Sequence, residues 1–358
     1  MPFRLNRYLP RMIDPAAIRA TVMPWQRREF LRCGVAAAVA WPGAAFAEER
    51  VRIVGILAGL PLNDRLMSKK VSDSSTSRIS DLIRDLDKLG WVEGQNIRFE
   101  IRSSFGGPAA RENAIKELVD LKPDVILTGS TIETTSLLAA TRTIPIIFAT
   151  ATDPIGSGFV QSYARPGGNV TGFTNSDAEM GGKWLQFLKE ADPGVVRVGV
   201  LFNPNTAPRA GRYFLEPIEV AGASLGVTVT AAPITDPSQI DAAIGAYAGD
   251  PAGGLIAQPD SYVVIHRQAI AAAAARHRVP AIYPFRYFMD SGALMSYGAA
   301  LEVRSAEYVN LILRGAKPAE LPVQSPRKYE LLVNLKVAEA LGLKFPLSLL
   351  ARADQIIQ

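Results

Sequence analysis

The feature that most restricts the fold of this chain is an alternation. Short Val/Ile/Leu runs recur from residue 51 onward, separated by stretches with helical spacing. The runs lie at 52–57, 97–101, 125–128, 144–149, 196–202, 227–232, 254–257, 279–283 and 294–297. Continuous apolar runs of this length are the pattern of strands buried on both faces. Between them, Ile79, Leu82, Ile83, Leu86 and Leu89 fall at i, i+3, i+4, i+7 and i+10, behind a Ser/Thr-rich capping stretch at 74–77. Ile115, Leu118 and Val119 repeat the pattern behind Pro108, a residue suited to a first helical turn. Further stripes are formed by Trp184, Leu185, Phe187 and Leu188, by Phe214, Ile218, Ala221 and Leu225, and by Ile240, Ala243, Ile244 and Tyr247. Pro217 predicts a kink in the second of these. Strands alternating with helices predict an α/β protein with parallel sheets covered on both faces. Nine or more strands over about 310 residues exceed one comfortable core, so two doubly wound parallel-sheet lobes are expected. The break is expected near Arg165-Pro166-Gly167-Gly168, a turn-rich stretch. An eight-fold barrel is the architectural rival, because its unit spacing is similar.

The formal charge of the 358-residue chain is +5, which invites a nucleic-acid reading. The charge is in the wrong place for one. Residues 1–47 hold Arg4, Arg7, Arg11, Arg19, Arg27, Arg28 and Arg32 against Asp14 and Glu29. Removing those from totals of 39 basic and 34 acidic residues leaves 32 of each, so the body is neutral and no nucleic-acid partner is expected. Gln26-Arg27-Arg28-Glu29-Phe30-Leu31-Arg32 leads into a soft apolar run from Cys33 that ends Ala45-Phe46-Ala47. A charged start, a short apolar core and an A-x-A end are the parts of a secretory signal. The Arg-Arg-x-Phe-Leu core resembles a twin-arginine address. Residues 1–47 are therefore read as a signal peptide with an over-extended start, Met23 being the expected first residue, and the destination as the periplasm. The alternative is an amphipathic cytosolic arm. The run is too short and too rich in Ala, Gly and Pro for a membrane span. Arg32 directly before Cys33 argues against a lipid-anchored cysteine. Cleavage after Ala47 would leave no cysteine, which suits an oxidising compartment and excludes a disulfide framework or a Cys-based zinc cage.

Catalytic motifs are missing. There is no phosphate loop, and Gly156-Ser157-Gly158 lacks the third glycine of a dinucleotide fingerprint. Ile155 stands where a nucleophile elbow needs glycine before Ser157. His266 and His277, beside Arg267, Arg276 and Arg278, read as a solvated helix face. No pair of carboxyls can be assigned to general acid and base. No catalytic residue, metal site or cofactor is expected, and a protein that holds a ligand is favoured over one that alters it. In open parallel sheets ligands bind beyond the carboxyl ends of the strands, where helix starts offer free N–H groups. The candidates are the residues that follow each strand. They are Gly59, then Ser130 and Thr131, then Thr152 and Asp153 in the first half. Asn203 and Asn205, then Gln258 and Asp260, then Phe285 and Tyr287 follow in the second. Ser130 and Thr131 are read as a carboxylate anchor, Thr152 and Asp153 as neighbours of an amine, and Phe285 and Tyr287 as the lining for an apolar end. Each has a purely structural alternative as helix cap, turn former or core residue.

Longer strings carry a resemblance. They are Leu89-Gly90-Trp91-Val92-Glu93-Gly94-Gln95-Asn96-Ile97, Ile144-Pro145-Ile146-Ile147-Phe148 and Arg165-Pro166-Gly167-Gly168-Asn169-Val170-Thr171-Gly172. Arg278-Val279-Pro280-Ala281-Ile282-Tyr283, Leu294-Met295-Ser296-Tyr297-Gly298 and the tail from Tyr329 to Leu343 continue them. In this order they resemble the ABC-transporter substrate-binding protein family that includes tryptophan- and tyrosine-binding members, whose fold is similar to type I periplasmic binding proteins. The resemblance implies two lobes joined by a three-crossing hinge, with crossings near Gly172, Tyr297 and Val323. The lobes would be 51–171 with 298–322, and 172–297 with 323–358. It implies a small ligand between the lobes, an amino acid or related carboxylate with an aromatic one favoured, and delivery to an ABC permease in the inner membrane. No obligate oligomer is expected. Gly298-Ala299-Ala300-Leu301 lacks the acidic residue the family usually carries there, and the loop 61–77 is unusually polar. A ligand sensor for a membrane signalling partner is the alternative on the same fold. A hydrolase or isomerase is a weaker one, since fold alone excludes no activity.

Overall fold

The computed structural model describes residues 50–59, 74–249, 252–300 and 304–358; the expected leader and most of the polar loop at 61–77 lie outside the described residues. Two separate sheets form, which rules out the single closed barrel. The first contains β1 (Arg52–Ala58), β2 (Ile97–Ser103), β3 (Val125–Thr128), β4 (Ile146–Ala151) and β5 (Val170–Thr174), in the order β2-β1-β3-β4-β5. All its pairings are parallel. Helices α1 (Ser74–Lys88), α2 (Pro108–Asp120) and α3 (Thr131–Ala140) make the crossovers. After α4 (Met180–Ala191), the second sheet contains β6 (Arg197–Phe202), β7 (Thr228–Pro233), β8 (Gly253–Ala257), β9 (Ala281–Tyr283), β10 (Met295–Ala299), β11 (Tyr329–Asn334) and β12 (Gln355–Ile357). Its order is β12-β11-β10-β9-β8-β6-β7, parallel except where β10 meets β11. Helices α5 (Arg212–Leu225), α6 (Ile240–Gly245), α7 (Ser261–Ile265) and α8 (Arg267–Arg276) connect its strands, and α5 runs on through Pro217. The chain closes with α9 (Ser305–Leu313), α10 (Leu335–Leu341) and α11 (Leu347–Leu350).

The run β7-β6-β8-β9-β10 repeats the order of the first sheet. Each lobe therefore reverses direction between its first and third strands, β1/β3 in one and β6/β8 in the other. A crevice opens at such a switch point, beyond the carboxyl ends of the strands. Both sheets are buried on both faces, as continuous apolar strands require. One face of the first packs Val54, Ile56, Leu82, Leu86, Val309 and Ile312, and the other packs Leu57, Ile115, Leu118, Ile126, Leu137 and Phe148. In the second lobe, Trp184, Leu188, Val198, Val200, Phe214 and Ile218 cover one face. Leu201, Ile244, Leu255, Val263, Ile270 and Phe288 cover the other. Each fully buried aliphatic or aromatic side chain contributes about 1.5–3 kcal/mol.

The chain passes between the sheets three times, each time a little later than Gly172, Tyr297 and Val323. The first strand to do so, β5, stays in the first sheet to Thr174, and β10 stays in the second to Ala299. Val323 is buried in the first lobe's core. Gln324 next to it accepts from Thr174 N–H at 2.9 Å and donates its own N–H to Gly172 O at 2.9 Å. Backbone pairing carries each strand to the rim before the chain can leave. At Gly172 (φ +153) a Cβ would lie 2.1 Å from the Phe148 carbonyl oxygen, so only glycine lets β5 approach β4 this closely.

Candidate functional site

At the first lobe's switch point, Ser130 caps α3 from an extended conformation, its Oγ accepting the Glu133 N–H at 3.3 Å. Glu133 folds back from the first turn of that helix and is 1% exposed. Its Oε1 lies 2.5 Å from Ser104 Oγ, and its Oε2 accepts from Gly129 N–H at 3.0 Å and the Thr128 hydroxyl at 3.3 Å. Ser104 also reaches the Ala58 carbonyl at 3.3 Å. One carboxyl thus ties together the ends of β1, β2 and β3. Burial pushes its pKa above the usual glutamate value, against the opposing pull of those hydrogen bonds. Gly59 passes directly over it, where a Cβ would stand 2.9 Å from Oε1.

The neighbouring rim joins the next candidates. Thr131 Oγ1 accepts the Thr152 N–H at 3.1 Å, and the Thr152 hydroxyl donates to Asn175 Oδ1 at 2.8 Å. Asp153 follows in a left-handed conformation (φ 48). Its Oδ1 accepts from Gly156 N–H at 2.9 Å, and its Oδ2 takes the Arg209 Nε–H at 2.7 Å from the other lobe. The carboxylate expected beside an amine is thus already paired with a cation.

In the second lobe, Asp260 plays the part Glu133 plays in the first. It caps α7, is 4% exposed and accepts from Asn203 N–H (2.7 Å), Tyr262 N–H (2.7 Å) and the Thr206 hydroxyl (2.5 Å). Burial pushes its pKa up as well. Asn203 Oδ1 in turn accepts the Asn205 N–H at 2.8 Å, so Asn203, Asn205 and Asp260 form one network across β6 and β8. Gln258 is fully buried; its Nε2 donates to Gly211 O at 2.9 Å, while its Oε1 has no hydrogen-bond partner among the described residues. Phe285 and Tyr287 stack at 5.3 Å, and Tyr287 stacks on Phe288 at 5.5 Å. Phe285 belongs to the second lobe's core, with Tyr287 packed against it, so both carry structural weight at the end of β9.

Several participants were not singled out from the sequence, among them Glu133, Ser104, Asn175 and Arg209. Glu133 carried a signal, because Ser130-Thr131-Ile132-Glu133 is the S/T-x-x-E pattern of a capping box. Its side chain answers Gly129 N–H instead of closing that box. Ser104 and Asn175 carried none, and Arg209 none beyond its place after β6. Among the described residues no group of three His, Cys, Asp or Glu is arranged to hold a metal ion, and no helix is long and apolar enough to cross a membrane.

Two doubly wound lobes of like topology, with polar strand-end loops meeting across an ion pair, have the architecture of a two-lobed ligand-binding protein. The chain belongs to the ABC transporter substrate binding protein family, whose model matches residues 68–357. It is similar to the tyrosine-binding protein of Clostridioides difficile (strain R20291), at 25% identity over 265 residues covering 73% of this chain and 75% of that protein. Among solved structures, a conserved domain protein from Vibrio cholerae O1 biovar El Tor gives a TM-score of 0.75 at 27% identity. The ABC domain from Streptococcus pneumonia in complex with L-Trp gives 0.73 at 23% identity, a likeness of fold. Both cover 86% of this chain and 100% of their own. The implied family and type I periplasmic-binding-protein fold are thus borne out, and the chain is a substrate-binding component of an ABC transporter.

Proposed function

We propose that this substrate-binding protein is an exported receptor for an amino acid or a related small carboxylate, with aromatic amino acids foremost, which it takes between its lobes and hands unaltered to an inner-membrane ABC permease. The observation that carries the ligand class is the first lobe's rim, where the start of α3 and the Asp153 carboxylate stand on adjacent strand ends joined by the Thr131–Thr152 hydrogen bond. Ser130 and Thr131 offer amides and hydroxyls to the ligand's carboxylate. Asp153, backed by Thr152, exchanges its Arg209 partner for the ligand's ammonium, and Gly59 permits close approach. Asn203, Asn205, Gln258 and Asp260 supply the second lobe's polar rim, and Phe285 and Tyr287 the apolar end. The tyrosine-binding relative and the L-Trp complex support an aromatic ligand. A ligand that touches both lobes only when they close stabilises the closed state by its differential affinity. Residues 1–47 direct the chain to the periplasm by the twin-arginine route, and it acts there without an obligate oligomer.

A thermal-shift screen over L-tyrosine, L-tryptophan, the other amino acids, simple carboxylates, purines and sugars tests this reading, since a tight ligand raises the melting temperature by mass action. Amino acids are expected to give the shift; a response confined to purines or sugars would overturn the assignment. In the binder so found, Ser130→Ala with Thr131→Ala should weaken affinity roughly 10- to 100-fold. Because it also removes the α3 cap and the partner of the Thr152 N–H, it should lower the unliganded melting temperature as well, with about 1–3 kcal/mol of stability lost. Unchanged affinity would remove the carboxylate anchor.

A further inference from the structure

Glu133 sits directly behind the start of α3, and its hydrogen bonds favour a proton on it. It is 1% exposed, and its fixed donor is the Gly129 N–H, 3.0 Å from Oε2. Its other side-chain partners are hydroxyls, each with a single proton to give and a second place to give it. Ser104 Oγ lies 2.5 Å from Oε1 but also 3.3 Å from the Ala58 carbonyl oxygen. Thr128 Oγ1 lies 3.3 Å from Oε2 but also 3.4 Å from Ser130 O. A proton on Oε1 settles the first competition, because Glu133 then donates to Ser104 and Ser104 donates on to Ala58 O. Burial raises the pKa and prevails over Ser104, Ser130, the Gly129 N–H and Thr128, all of which favour the ionised form. Ser130, the cap of α3, is thus one of the donors that an ionised Glu133 would claim. Glu133 is the only titratable residue of α3. On the elements packed around it, Arg102 of β2 is paired with Glu100 and Glu117, and Arg111 of α2 donates to Ser136. Asp153 beyond β4 is joined to Arg209. None of these charges contributes to the Glu133 shift.

We propose that Glu133 is a positioning residue that has to carry a proton for Ser130 and the start of α3 to receive the ligand's carboxylate, so that ligand and proton bind together. This linkage rests on the proposed place of the ligand's carboxylate at Ser130 and Thr131. With Glu133 neutral, the Ser130 hydroxyl is free to donate to the ligand, and the positive end of the helix is not already offset. With Glu133 ionised, that hydroxyl turns inward and two like charges crowd one helix start. A bound carboxylate therefore makes the proton harder to remove. Affinity should weaken as pH rises through the Glu133 pKa of the free protein and level off beyond that of the complex. The test is calorimetric titration of the full chain with L-tyrosine and L-tryptophan from about pH 5 to about pH 8, in buffers of different ionisation enthalpy so that protons are counted. The parent should weaken by up to about tenfold per pH unit, roughly 5- to 150-fold in all, and take up as much as about one proton per ligand. Glu133→Gln keeps the shape of the neutral carboxyl and has no proton to lose. It should hold the parent's acid-pH affinity throughout and take up none. A purely structural role would change the variant's affinity without changing the proton count. Binding to the parent with no proton taken up, or an uptake unchanged in Glu133→Gln, would overturn the linkage and leave the ligand assignment standing. Failure of both amino acids to bind parent and variant at every pH would instead overturn the ligand assignment, and the linkage with it. If Glu133→Gln does not fold, the parent's proton count decides alone, and a count of zero refutes the linkage.

Discussion

Glu133 and Asp260 are both buried carboxyls at switch points, yet their surroundings predict opposite tolerance to amide replacement. At Glu133, Oε2 faces the Gly129 N–H and the Thr128 hydroxyl, while among the described residues Oε1 faces only the Ser104 hydroxyl, which can turn to accept. An amide fits there with its oxygen at the first position and its nitrogen at the second. At Asp260 both oxygens face backbone N–H groups, from Asn203 and from Tyr262. An amide nitrogen would be forced against one of them. Asp260→Asn is therefore expected to cost about 1–3 kcal/mol in urea unfolding, although asparagine is an excellent helix cap elsewhere. Glu133→Gln should unfold no more easily than the parent at neutral pH, whereas Glu133→Ala should lose about 2–4 kcal/mol through a cavity and stranded donors. The pH dependence follows from the raised pKa of Glu133. Its contribution is fully present below the unfolded-state value near 4.5 and is lost as pH rises through the higher folded value. The melting temperature of Glu133→Gln minus that of the parent should thus climb with pH above 4.5. A flat difference would show that the carboxyl does not titrate from a buried neutral form.

At the scale of elements, legibility followed burial. The run at 125–128, Val-Ile-Leu ending in a buried Thr, coincides with β3, because a strand covered on both faces has to be mostly apolar. By contrast, β5 is Val-Thr-Gly-Phe-Thr, and no pattern marks it as a strand. Its Thr171 is buried because the hydroxyl donates to Leu321 O at 2.6 Å, a partner 150 residues away. Likewise β12 is three residues long and depends on β11 for its place. The site divides along the same line. Strand-end loops were legible because topology fixes where they lie. Arg209 was not, because its reach to Asp153 depends on a left-handed backbone that the residue type does not announce. Close approach makes one element-scale prediction sharp. A Cβ on Gly298 in β10 would stand 1.7 Å from the Pro284 carbonyl oxygen, a backbone atom with no side chain to swing away. Gly298→Ala should cost about 3 kcal/mol in chemical denaturation, toward the upper end for overpacking. A loss within experimental error would mean that the segment after β9 shifts freely.

Across the whole molecule, charge is partitioned by segment. The excess of five positive charges lies within residues 1–47, and beyond them 32 basic side chains face 32 acidic ones. A neutral body exerts little long-range pull on a charged solute, so on the proposed reading discrimination among ligands comes from local groups at the strand ends. On the proposed reading of residues 1–47 as a leader, the arginines gathered in one place are what is read as an address. If it is read and removed, protein recovered from the periplasm of a host with the twin-arginine route should begin at Glu48. It should also focus near neutrality, while the uncut chain focuses as a base. Arg27→Lys with Arg28→Lys should keep the uncut, basic form in the cytoplasm without changing its fold, because both residues precede the body that packs the two cores. Periplasmic protein with an intact, basic N-terminus, or export untouched by the double substitution, would show that these arginines serve another purpose.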